Sequence, residues 1–184
     1  MLDPRVFKAY DVRGIYPSEL DEEGAHAIGR AFVDVFEPER IAVGHDMRVS
    51  SPSMAEAVIR GASEAGAEVL DLGLVGTEML YFAVGELGLD GGVVVTASHN
   101  PKEYTGMKIV RRGALPVGGE SGLLEIRDQA MSVTDKDPAT GPGVTGKVQR
   151  YDIWEQYVER VLSFVDSGAI APLKVVIDAA NGMA

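Results

Sequence analysis

The sequence predicts an α/β domain built on a mixed sheet with one antiparallel strand and with helices on both faces. Three observations carry this. Short apolar runs at 41–44, 67–72 and 92–96 alternate with amphipathic segments, as in successive strand and helix units. The run Val93-Val94-Val95 has no polar alternation, as expected of a strand buried on both faces. A further apolar run at 107–110 follows after turn-forming residues, with no room for a crossover helix, so its strand must run antiparallel to the one before.

Taken in order, residues 18–36 place Ile28, Ala31, Phe32 and Val35 at helical spacing after Ser18 as a cap, with Pro38 beyond the end. Residues 41–44 form a strand. Ser50 or Ser51 then caps a helix with Pro52 in its first turn, and Met54, Ala57, Val58 and Ala65 make one stripe before Gly66. Residues 67–72 are the next strand, 77–87 a helix capped by Thr77 and stopped near Gly88, and 92–96 the strand of the valine run. After the antiparallel strand, 118–131 can form another helix, and 132–146, SVTDKDPATGPGVTG, has the composition of a linker or exposed loop. Beyond it, Trp154, Tyr157, Val158, Val161 and Val165 form a helical stripe, and 173–177 read as a buried strand. The expected division is a first domain over 1–146 and, over 147–184, the opening helix and strand of a second domain that the chain does not complete.

Composition narrows the chemistry. A chain of 184 residues with 46% hydrophobic and 24% charged residues is neither disordered nor membrane-like. Seventeen basic residues against 28 acidic ones give a formal charge of -11, which argues against nucleic acid as a partner. A small phosphorylated ligand held by isolated cations remains open. The absence of cysteine excludes thiolate chemistry and cysteine-based zinc sites, and His26, His45 and His99 form no ligand pair. No segment resembles a secretory leader or membrane span, so no membrane partner and a cytoplasmic location are expected.

The residues after the valine run are Ser98, His99, Asn100 and Pro101, in a loop at the carboxyl end of a central strand, where open α/β sheets bind ligands. Ser98 is either a turn residue or a nucleophile. Adjacent side chains of an extended segment point apart, so His99 is a loop brace or ligand contact rather than the base of a Ser-His triad. No G-x-S-x-G elbow surrounds Ser98, which disfavours a serine hydrolase. Arg13, directly before Gly14, can grip an oxyanion or pair with Asp11. Lys108 can act as acid or base near phosphate, or stand as an ordinary strand lysine. The loop at 44–50, with Arg48, can bind an anion at a helix amino terminus or merely cap that helix. Asp135, Lys136 and Asp137 read as solvated loop rather than a metal site.

The segments FKAYDVRG, VGHDMRVSSP, TASHNPKEYTGMKIV and VVIDAANG, in that order, resemble the amino-terminal domain of the α-D-phosphohexomutase superfamily, in its phosphomannomutase/phosphoglucomutase branch. The resemblance implies that Ser98 carries a phosphate, which passes to a mannose or glucose phosphate and is recovered from the bisphosphate, moving phosphate between the 1 and 6 positions of the hexose. It implies phosphate contacts from Arg13, acid/base work by Lys108, and loop shaping by His99 and Asn100. Its cofactor is Mg²⁺, reached by a phosphoserine oxygen. The partners it implies are a hexose phosphate and a hexose bisphosphate. His45 stands where the family usually carries Arg, and the family's Asp-x-Asp-x-Asp-Arg magnesium segment is not in this chain. The expectation is therefore an amino-terminal fragment of a mutase, inactive by itself. The rival expectation is a non-catalytic sugar-phosphate-binding or regulatory module that keeps the serine loop as scaffold.

Overall fold

The computed structural model of the chain describes residues 2–132, 145–180 and 182–183. Its seven-stranded sheet has the order β1-β5-β4-β2-β3-β7, with the short β6 beside β5. The strands are β1 (Val12–Ile15), β2 (Arg40–His45), β3 (Glu68–Leu74), β4 (Gly91–Val95), β5 (Tyr104–Arg111), β6 (Leu115–Pro116) and β7 (Val148–Arg150). β4, β2, β3 and β7 are mutually parallel, and β5 runs antiparallel to both β1 and β4. The valine run occupies β4, every residue of which is buried. Val93 and Val95 face one core and Val94 the other, which is the two-sided burial expected of an unalternated strand.

The helices are α1 (Glu22–Phe36), α2 (Ser51–Glu64), α3 (Thr77–Glu86), α4 (Leu123–Ser132) and α5 (Trp154–Leu162). α1, α2 and α4 supply Ile28, Phe32, Met54, Val58, Leu123 and Ile126 to the core on one face. α3 covers the other face with Met79, Leu80, Ala83 and Val84. α1 and α2 cross at two glycines: a Cβ on Gly29 would lie 2.4 Å from Val58 O, and one on Gly61 would lie 2.1 Å from His26 O. Backbone meets backbone there, so the helices approach more closely than side chains would allow.

Several local expectations are corrected. α1 starts at Asp21 rather than Ser18, because the Asp21 carboxylate reaches the Gly24 N–H at 2.9 Å and sits beside the apolar stripe. α3 takes Gly76 as its cap position, with Thr77 as first helical residue. Ser50 occupies the cap position of α2 without a side-chain bond, since the first turn is already tied elsewhere: the Ser51 hydroxyl donates to Asp46 Oδ1 at 2.6 Å. Residues 173–177 form no strand, and Leu173, Val175, Val176 and Ile177 are at least 68% exposed. A strand exists only with a hydrogen-bonding neighbour, and none of the described strands pairs with this segment. β7 pairs with β3, and Ile153 is fully buried in the α3-side core, so residues just past Gly146 add to the first sheet. Of the expected stripe, Trp154, Val158, Val161 and Val165 are exposed, while Tyr157 packs partly buried against the α3-side core. The linker expected over 132–146, and Asp135, Lys136 and Asp137 within it, lie outside the described residues for all but its ends. Among the described residues no helix is long and apolar enough to cross a membrane.

Glu22, in the first turn of α1, ties that helix to its neighbours. Its Oε1 accepts from the Ser53 hydroxyl at 2.6 Å and from the Tyr16 hydroxyl at 2.8 Å. These bonds, Ser53 foremost, hold the carboxyl below its ordinary value of 4.5 against the opposing effect of burial, while Glu22 raises the Tyr16 phenol. A carboxyl depressed on folding stabilises the fold above its unfolded value and loses that contribution as pH falls through the folded one. Glu22→Ala should therefore cost about 1–2 kcal/mol near neutrality. Thermal unfolding of both proteins across pH should show the gap narrowing once pH drops below 4.5. A pH-independent gap would contradict the assignment.

Candidate functional site

Past β4, the chain turns sharply. Thr96 N–H still bonds Gly106 O at 2.9 Å, and Thr96 Oγ1 then accepts the Ser98 N–H at 2.9 Å. Ala97 O accepts both the backbone N–H of Asn100 (3.0 Å) and its side-chain amide (2.8 Å), which closes the turn. Ser98 has φ of +53°, in the left-handed region, which costs a residue with a Cβ about 1–2 kcal/mol. Its surroundings must hold it there. The Ser98 side chain is exposed, on the outside of a loop whose backbone is bonded inward.

The left-handed turn brings His99 close to the serine hydroxyl. Extended alternation fails at Ser98, so the neighbouring side chains do not diverge: Ser98 Oγ and His99 Nδ1 lie 3.2 Å apart, both exposed. No third residue is bonded to the imidazole of His99 among the described residues, so the pair lacks the orienting group of a triad. His45 sets Nδ1 on the carbonyl oxygen of the next residue, Asp46, at 2.8 Å.

Arg48, from the loop between β2 and α2, is committed to the serine loop. One terminal nitrogen donates to Pro101 O (2.8 Å) and Tyr104 O (3.2 Å), the other to Ser98 O (2.9 Å) and Asn100 O (2.6 Å). Nε faces Asp46 Oδ2 at 3.4 Å. Asp46 is buried and its Oδ1 accepts from the Arg48 N–H and the Ser51 hydroxyl. Four guanidinium hydrogen bonds thus go to carbonyls of the serine loop, with the Nε–Asp46 ion pair beside them.

Arg13 and Lys108 come from adjacent antiparallel strands. Arg13 stands opposite Gly106 in the register, and Lys108 lies two positions further along the same face of β5. The Asp11 carboxylate joins them: its Oδ2 lies 2.7 Å from the Arg13 guanidinium and 3.9 Å from Lys108 Nζ. Arg13 is thus paired with Asp11, the second of its two expected places, and remains about a third exposed, as Lys108 does. Asp11 is the partner the residue pattern named but did not single out as shared. Gly106 makes the arrangement possible, because a Cβ there would sit 2.2 Å from Val12 O.

A cleft of about 900 Å³ runs along the carboxyl end of the sheet, lined by Ser98, Asn100, Thr96 and Lys102 together with residues 46–50 of the loop before α2 and the first residues of α3. Arg13, Lys108 and His99 are not among its lining residues. Lys102 is, and with Arg48 spent on carbonyls it is the cation on this wall without an ion pair among the described residues. The donor set does not suit Mg²⁺: among the described residues no group of three His, Asp or Glu is placed to hold a metal, and Asp46 is taken by Arg48 and Ser51.

Residues 4–136 match the family described as phosphoglucomutase/phosphomannomutase, alpha/beta/alpha domain I. Among curated proteins the chain is 44% identical over 179 residues to a phosphomannomutase of Escherichia coli, covering 97% of this chain and 39% of that protein. It is also 44% identical over 176 residues to a protein named phosphohexose mutases from Xanthomonas campestris pv. campestris, covering 96% of this chain and 38% of that one. The crystal structure of a phosphoglucomutase/phosphomannomutase family protein from Burkholderia thailandensis superposes with a TM-score of 0.76 at 35% identity, over 89% of this chain and 36% of that one. The chain thus spans well under half the length of the relatives it matches.

Proposed function

Since the chain belongs to the phosphoglucomutase/phosphomannomutase family, we propose that it supplies the serine half of a phosphohexomutase site, the remainder of which is carried by residues outside these 184. The observation that carries this reading is the Ser98 loop: an exposed hydroxyl on a left-handed residue, with the loop carbonyls tied to Arg48. In the proposed cycle a phosphoryl group leaves Ser98 Oγ for a free hydroxyl of the hexose phosphate, whose proton is taken up as the new O–P bond forms. The other phosphoryl group of the resulting bisphosphate returns to Ser98 Oγ, and the freed sugar oxygen regains a proton. Such transfers need positioning and charge neutralisation more than new covalent chemistry.

Arg13 and Lys108, joined through Asp11, are the cations that neutralise the moving phosphoryl group, with Lys108 handling the proton. Asn100 holds the loop and His99 meets the serine hydroxyl. Lys102 offers the cleft a free ammonium for a second phosphate. Mannose and glucose phosphates are the proposed substrates, in the cytoplasm. The magnesium that the resemblance implies finds no group of three ligands among the described residues and would need carboxylates from elsewhere. The first domain is proposed to extend through β7 and Ile153, with α5 and the residues after it opening the next one. The direct test is to assay the isolated chain and a full-length protein carrying it with mannose 1-phosphate and glucose 1-phosphate. Turnover by the longer protein alone is expected. Robust turnover by the 184-residue chain, or none by either, would contradict the proposal.

A further inference from the structure

We propose that Arg48 is a positioning residue for phosphate transfer at Ser98: its guanidinium gathers the carbonyls of the serine loop and so holds the hydroxyl in its left-handed presentation. This rests on the mutase reading for its catalytic part and on geometry alone for its structural part. Four carbonyl oxygens, of Ser98, Asn100, Pro101 and Tyr104, converge on one guanidinium at 2.6–3.2 Å. The arginine is in turn aimed by Asp46, whose carboxylate is fixed by the Ser51 hydroxyl at the start of α2. Helix α2 is thereby linked through Asp46 and Arg48 to the backbone of the serine itself.

The chemistry gives this linkage a purpose. A phosphoserine dianion beside uncompensated carbonyl oxygens would be repelled by them, and a loop free to relax would let Ser98 escape its costly φ. Tying those oxygens to a largely covered cation removes both alternatives, because the side chain of Arg48 is only 11% exposed and both its terminal nitrogens are bonded to loop carbonyls. Lysine cannot replace it. Three donors on a flexible ammonium do not match four carbonyls and a carboxylate.

Two measurements test the role separately. In the 184-residue chain, Arg48→Ala and Arg48→Lys should speed hydrogen exchange at the amides of Ser98, Asn100 and Tyr104 by about 10-fold or more, with the α1 and α2 amides unchanged. In a full-length protein, phosphorylation of Ser98 by hexose bisphosphate should slow about 100-fold in Arg48→Ala, with KM moved less than about threefold, and Arg48→Lys should regain only part of the rate. Unchanged exchange at the three amides overturns the positioning role, as does a loss that appears wholly in KM. If the unsubstituted full-length protein takes no phosphate on Ser98, the mutase reading fails, and the exchange result alone decides whether Arg48 holds the loop.

Discussion

Ser98→Ala is expected to lower mutase turnover of a full-length protein carrying these residues by at least about 10⁴-fold, with little loss of substrate binding. The proposed cycle both donates from and returns to Ser98 Oγ, so its removal deletes two bonds of the mechanism rather than one contact. Two nearby hydroxyls are already engaged: Thr96 Oγ1 accepts the Ser98 N–H, and Ser51 donates to Asp46 under the first turn of α2. The fold should tolerate the change. Ser98 is exposed, its backbone bond to Thr96 survives, and alanine at φ +53° adds about 1 kcal/mol of strain at most beyond what serine already bears. Steady-state rates with bisphosphate activator, alongside chemical denaturation, separate the two effects. Turnover within about tenfold of the unsubstituted protein would remove Ser98 from the mechanism.

The second large effect concerns stability. Gly106→Val should destabilise the domain by about 3 kcal/mol or more, as judged by chemical denaturation. A Cβ at that position would lie 2.2 Å from Val12 O, 3.1 Å from Thr96 O and 3.3 Å from Arg13 Cα. All three are backbone atoms of strands or of the loop joining them, so no side-chain rotation relieves the contact. Relief requires β1 to move off β5, and that carries Arg13 and Asp11 away from Lys108. A loss below about 0.5 kcal/mol would mean that the close approach of β1 and β5 is dispensable.

How far the sequence foretells this depends on the range of the interaction. The valine run and the short spacing to 107–110 are local signals, and β4 and the antiparallel β5 follow them closely. The placement of Ser98 past a buried central strand is legible for the same reason. The part played by Arg48 is not, because its carbonyl partners lie 50 to 56 residues away along the chain and nothing in the pattern around it names them. The 3.2 Å approach of His99 to the serine hydroxyl escapes a rule about extended segments because it arises from one left-handed residue. The Asp11–Arg13 pair is a short-range signal, a carboxylate two residues before the guanidinium at the entry to β1, whereas its approach to Lys108 depends on the pairing of β1 with β5. Residues 173–177 carry strand-forming side chains, yet composition cannot supply the hydrogen-bonding neighbour that a strand requires.

The most direct measurement is peptide mapping by mass of an active full-length protein, with Ser98→Ala alongside. One phosphoryl group confined to the peptide carrying Ser98, gained on incubation with hexose bisphosphate and missing from the variant, is the expected result. An unphosphorylated Ser98 in every active preparation would contradict the mechanism.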